Sequence, residues 1–145
     1  MDPIRHAVMK DHQRLLALLE LAKRDALGDE TALMHAFTAF VRRLRAHMRI
    51  EEELFFPVID AIVQNGGKSV TASLRCEHDA FRQLVGEIET ALGRGERAGL
   101  AANLCELEVA LRLHEAREET LVYSVVDRQL AATTVMDLAG LLGGS

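Results

Sequence analysis

"RLRAHMRIEEELFFPVID", Arg43 to Asp60, decides how the chain reads. At helical spacing Phe40, Leu44, Met48, Leu54, Phe55 and Val58 form an apolar stripe that is expected to face a core. His47 and Glu51 fall inside that stripe, four residues apart and so on one face of the helix. An imidazole and a carboxylate aimed into an apolar interior need a compensating partner, because burying an unpaired carboxylate is costly.

Working outward, turn residues divide the chain into long helical segments. Asp2-Pro3 supplies an N-cap and a proline at the first helical position, and Gly28 stops that helix. Asp29 caps a second helix, expected to run to about Val63 with a kink near Pro57. "QNGGKS" (Gln64 to Ser69) is a strong turn, after which Ser69 or Thr71 caps a third helix. "GRGERAG" (Gly93 to Gly99) precedes a fourth, expected to end near Leu130, and a short terminal helix is read over about 133–142. No segment alternates with period two, so the expected fold is all-α: an up-down-up-down four-helix bundle over about 3–130, within a single domain spanning 1–145.

The second half repeats the first. "RAHMRIEEELFFPVID" aligns with "RLHEAREETLVYSVVD" (Arg112 to Asp127) at an offset of 67, pairing His47 with His114 and Glu51 with Glu118. "DHQRLL" from Asp11 echoes "EHDAFR" from Glu77 at an offset of 66, pairing His12 with His78. Each half is thus a helical hairpin with a lone histidine on its first helix and His-x-x-x-Glu on its second.

A rise of about 1.5 Å per residue makes that echo chemical. His12 stands roughly 24 Å from the Gly28 turn and His47 roughly 28 Å back from it; for His78 and His114 each distance is roughly 22 Å. Antiparallel packing therefore brings His12, His47, Glu51, His78, His114 and Glu118 into one layer. Each also continues an apolar stripe: Val8, Leu15 and Leu19 around His12; Leu74, Phe81 and Val85 around His78; Leu104, Leu107 and Leu111 leading to His114. One His-x-x-x-Glu is most simply a hydrogen-bonded pair. Two symmetric pairs and two further histidines at matching height are better explained by cations, which offset the carboxylate charge and occupy the imidazole lone pairs. Four histidines and two glutamates exceed the needs of one tetrahedral zinc and divide into two sets of two histidines, with the glutamates able to bridge. Mixed nitrogen and oxygen ligation favours a pair of iron ions, with zinc or manganese as substitutes.

His12, the segment His47-x-x-x-Glu51-Glu52 running to Phe56-Pro57, His78, and His114-x-x-x-Glu118-Glu119 resemble the hemerythrin-like, or HHE cation-binding, domain. The resemblance covers about residues 3 to 130. It implies a four-helix bundle holding two non-haem irons bridged by carboxylates and an oxo or hydroxo group. It also implies binding of dioxygen or other small diatomics, with His12, His47, Glu51, His78, His114 and Glu118 as the iron ligands. One departure matters. Oxygen-carrying hemerythrins have five histidines and a bridging aspartate after the last; here Leu74 and Arg82 flank His78 at four residues' distance, and Glu118 replaces the aspartate. Each iron then has two histidines plus shared bridges, an open and nearly symmetric centre. That favours sensing, scavenging or redox turnover over oxygen transport, and the leading expectation is a sensor, scavenger or buffer of O2 or NO.

The rest of the sequence narrows the setting. A net charge of -5 and no basic run longer than Arg42-Arg43 argue against nucleic acid as a partner. No stretch approaches 18 apolar residues, and "MDPIRHAVMK" has no apolar signal region, so neither a membrane span nor secretion is expected. Two cysteines, Cys76 and Cys105, form no disulfide framework, and a cytoplasmic setting is expected. Both read as ordinary packing residues, and Tyr123 as a core aromatic. His6 and His35 lie roughly 120° round their helices from His12 and His47 and read as surface residues. Glu52 and Glu119 suit either the surface or support of the ligands, and Glu115 is a weaker candidate for an extra ligand. The terminal helix suits either covering the bundle's end or forming a homodimer. With no dedicated acid–base residue beside the ligand set, a ligand-binding role is favoured over an enzyme. Two alternatives stand: a di-iron enzyme acting on peroxide or NO, or donating iron for cluster repair, and a zinc-bound or metal-free interaction module.

Overall fold

The computed structural model describes residues 3–62 and 66–122. Helix α1 spans Pro3–Asp25 and α2 spans Glu30–Ile50; α2 continues through a π-helical turn, Glu51–Phe55, into α3, Phe56–Ile62. Helix α4 runs Ala72–Gly93 and α5 runs Leu100–Arg117, and a second π turn, Glu118–Val122, follows directly. The long helices pack in a ring, α1 on α2, α2 on α4, α4 on α5 and α5 on α1, and no strand occurs among the described residues. That is the helical bundle expected from the repeat. The expected terminal helix, the stretch from 123 to Leu130 and Tyr123 itself lie outside the described residues.

One end of the bundle is apolar core. Leu19, Leu33, Phe40, Leu44, Ile88, Leu104 and Leu107 are fully or almost fully buried there. The side-chain oxygen of Asp29 accepts the Thr31 amide at 3.0 Å, meeting one of the otherwise orphaned first-turn donors of α2. Gly95 and Gly99 take φ of 69° and 76°, the left-handed region open to glycine, and so turn the chain from α4 into α5. From that loop Arg97 donates to the carbonyls of Gly28 (2.9 Å), Asp25 (3.0 Å) and Ala26, which satisfies the C-terminal carbonyls of α1 and ties the two hairpins together. At the other end Asp60 accepts from the amides of Val70 (2.9 Å) and Thr71 (3.2 Å) and from the hydroxyls of Ser69 (2.8 Å) and Thr71 (2.7 Å). Thr71 does occupy the N-cap position of α4, yet its hydroxyl serves Asp60 rather than its own helix.

The break in the second helix differs from the expected proline kink. The amide of Phe56 bonds back five residues to the carbonyl of Glu51, so the widened turn begins before Pro57. Its repeat counterpart begins at Glu118, where the position matching Pro57 is Ser124. Proline is therefore not what the two turns share; a buried glutamate at the first position is. The extra residue rotates the following helix by about 100°. Leu54, expected inside, is 38% exposed and Val58 half-buried; Phe55 is buried as expected, and Phe56 and Ile59 are buried in place of the other two.

Candidate metal centre

Helices α1, α2, α4 and α5, with the two π turns, bring all six predicted site residues together. His12, His47, Glu51, His78, His114 and Glu118 are each exposed by no more than 3%. Their donor atoms form two overlapping sets, His12, His47, Glu51 and Glu118 in one and Glu51, His78, His114 and Glu118 in the other, with the atoms of each set within 4.8 Å of one another. The two glutamates belong to both.

Each imidazole is held from behind. A carboxylate only accepts, so a ring nitrogen facing one carries the proton. His47 donates Nδ1–H to Asp11 (2.5 Å) and His114 to Glu77 (2.7 Å), each to the acid beside its own hairpin's lone histidine. His78 donates to Glu52 (2.7 Å) and His12 to Glu119 (2.9 Å), each to the acid beside the other hairpin's site glutamate. The pattern obeys the sequence repeat throughout. Arg43 on Asp11, Arg82 on Glu52 and Arg117 on Glu77, at 2.6, 2.5 and 2.6 Å, fix three of the four acids in turn. With Nδ1 committed, Nε2 of every ring points inward, the arrangement that orients imidazoles on a metal.

The inward atoms are the test of whether a cation fits. Nε2 of His12 is buried without a hydrogen-bond partner. Burial holds His12 below the usual histidine range and pushes His114 down to about 4, so both rings are neutral and each offers a lone pair. That of His114 lies against Oε1 of Glu118 and 3.1 Å from Nε2 of His78, and Nε2 of His78 in turn approaches Glu51 at 3.1 Å. Burial works against charge on His47 too, but the Glu51 charge and hydrogen bonds to Asp11 and Glu51 carry it up to about 10. Burial likewise favours a neutral Glu51, and His47 with His78 overcomes this to hold its carboxyl well below the usual range. Neutral inward nitrogens on His12 and His114 beside an anionic, fully buried Glu51 are a cation's environment, and the residues fit one.

The matching family model is the hemerythrin HHE cation-binding domain, over residues 4–126. The chain belongs to this family. As a member it is a hemerythrin-like metal-binding domain with a buried His/Glu cluster. Neither the curated proteins nor the solved structures gave a match. Among the described residues, no helix is long and apolar enough to cross a membrane.

Other expectations fare unevenly. His6 and His35 are exposed, as read. Cys76 and Cys105 are exposed rather than packed, and neither joins the cluster. Glu52 and Glu119 serve the histidines. Asp11 and Glu77 were missed as partners, although the acid before each lone histidine is part of the repeat and was the available signal. Glu115, 5% exposed, sits beside the cluster with its carboxyl pushed up to about 8 by burial, so a titratable group does adjoin the site.

Proposed function

We propose that the six side chains hold two iron ions, and that the protein binds dioxygen or nitric oxide in a sensing, scavenging or buffering role. The observation that carries this reading is the pair of overlapping four-donor sets sharing Glu51 and Glu118. Two nitrogen and two carboxylate donors per ion suit iron, and leave fewer protein ligands than an octahedral ion accepts. When bound, the irons supply the redox chemistry and the exchangeable positions for a diatomic ligand.

The chain's own residues do the rest. The four Nδ1–H bonds fix each ring so that its Nε2 meets an ion without reorganisation. Glu51 and Glu118 bring negative charge to both positions. Phe56 stacks on His78 with ring centroids 5.4 Å apart, and Phe81 meets His114 edge-on at 5.1 Å. These two rings keep water from the His78–His114 side and give an apolar diatomic a place to sit.

Metal analysis and ultraviolet-visible spectra of protein from iron-replete cells, before and after reduction and exposure to air or NO, test the proposal. About two irons per chain are expected, with visible bands that bleach on reduction and change with the added gas. One zinc, or no metal, refutes it and leaves an interaction module as the better reading.

A further inference from the structure

The repeat makes the two halves of the centre nearly equivalent, and one position breaks that equivalence. The residue after His114 is Glu115; its counterpart after His47 is Met48. Both are buried, at 5% and 2% exposure. Each lines one of two pseudo-equivalent clefts. Glu115 shares its cleft with His12, a member of the first donor set, and with Gln13, Arg112 and Glu119; its own carboxylate stands outside both four-donor sets. Met48 shares the other with Arg45, Arg49, Glu52 and Arg82, on the side where Glu52 holds His78.

Oε1 of Glu115 is buried with no hydrogen-bond partner. A buried carboxylate oxygen without a donor is an expense that a purely structural residue would shed, because glutamine or methionine fills the same volume without the charge. Nor do the four acids behind the histidines explain it, since each of those is hydrogen-bonded to a ring. Two divalent ions bring four positive charges against two from Glu51 and Glu118, so a further buried anion beside the pair has an electrostatic purpose.

We propose that Glu115 is a further protein ligand to the ion held by His12 and His47, so that the exchangeable position lies on the ion held by His78 and His114. This deepens, and rests on, the two-ion reading above. It replaces the symmetric centre expected from the six-residue motif with one better-filled ion and one more open ion. The open one is the ion fenced by Phe56 and Phe81, with Met48 in place of the carboxylate.

Cobalt(II) titration of the metal-free full chain against a competing chelator, in wild type and Glu115→Gln, tests this. Visible ligand-field bands and the melting curve of the metal-free protein are recorded alongside. Wild type is expected to take two ions with distinguishable bands. In the variant, one ion is expected to bind at least about tenfold more weakly with its bands changed, the other within about twofold of wild type. The metal-free variant is expected to melt no lower than wild type, since glutamine fills the same volume and Oε1 of Glu115 has no hydrogen bond to lose, and Glu115→Ala should lose the same ion. Two ions at unchanged affinity and with unchanged bands overturn the role of Glu115 while leaving the two-ion reading intact. A metal-free Glu115→Gln that melts below wild type marks a structural residue and also overturns it. Wild type binding fewer than two ions overturns the two-ion reading and this assignment together.

Discussion

His12 on α1 donates its Nδ1–H to Glu119, 107 residues further along the chain, at 2.9 Å, and His78 on α4 does the same to Glu52 at 2.7 Å. Each hairpin thus orients the lone histidine of the other. The donor set exists only when both hairpins are docked, which couples metal binding to folding.

Removing these acids should weaken the centre although no site histidine or glutamate is touched. Glu52→Ala and Asp11→Ala are each expected to lower metal affinity by about 10- to 100-fold. Competition with a chromogenic chelator measures it; affinity unchanged in both would show that the hydrogen bonds do not orient the rings.

Metal should stabilise the fold, because it would offset the charge of the fully buried Glu51 and occupy Nε2 of His12, which has no hydrogen-bond partner. At a free metal concentration about 100-fold above the dissociation constant, the gain is about 2.7 kcal/mol per site, or roughly 8 °C in Tm for a chain of this size. Calorimetry with and without a chelator reads the shift directly. His47→Ala and Glu118→Ala should abolish most of it, and a variant that keeps the full shift would remove that residue from the ligand set.

The π turn makes a prediction that a continuous α-helix reverses. Ile59 is 1% exposed and Leu54 is 38% exposed. Ile59→Ala should therefore cost about 2–5 kcal/mol and Leu54→Ala well under half of that. Urea unfolding of the two variants settles the order.

Asp60 should give acid sensitivity of known sign. Its slight burial raises the carboxyl's pKa, but the four donors from Ser69, Val70 and Thr71 outweigh this and hold it below the usual aspartate range. The stabilisation is complete above the unfolded value and is lost as pH falls through the lower folded value. Asp60→Ala should cost about 1–2 kcal/mol at neutral pH. The gap from wild type should narrow as the pH is taken below about 4, which denaturant titrations at two pH values would show.

Much of this protein is local, and the local part was readable in the sequence. The helix limits at Asp29 and Gly99 follow from capping and glycine chemistry within a few residues. The six-residue layer follows from a fixed rise per residue and a repeat offset of 66 to 67, so counting alone brings His12, His47, His78 and His114 to one height. Where the reading failed, the cause lay outside the window it used. Leu54 and Val58 moved out of the core because an i to i−5 hydrogen bond at Glu51 changed the helical phase, and a side-chain pattern does not encode which backbone bond will form.

The sequence by itself determined an all-α bundle of two repeated hairpins and the six side chains at its centre. Tertiary structure alone decided how those side chains are held: Asp11 on His47, Glu77 on His114, and Glu52 and Glu119 crossing to the opposite hairpin. It also decided that Glu115 is buried where an average helix face would leave it in water. Helical period and repeat spacing are properties of one segment at a time. Which acid meets which imidazole depends on the rotation and approach of helices up to 107 residues apart, and that is fixed only when they pack.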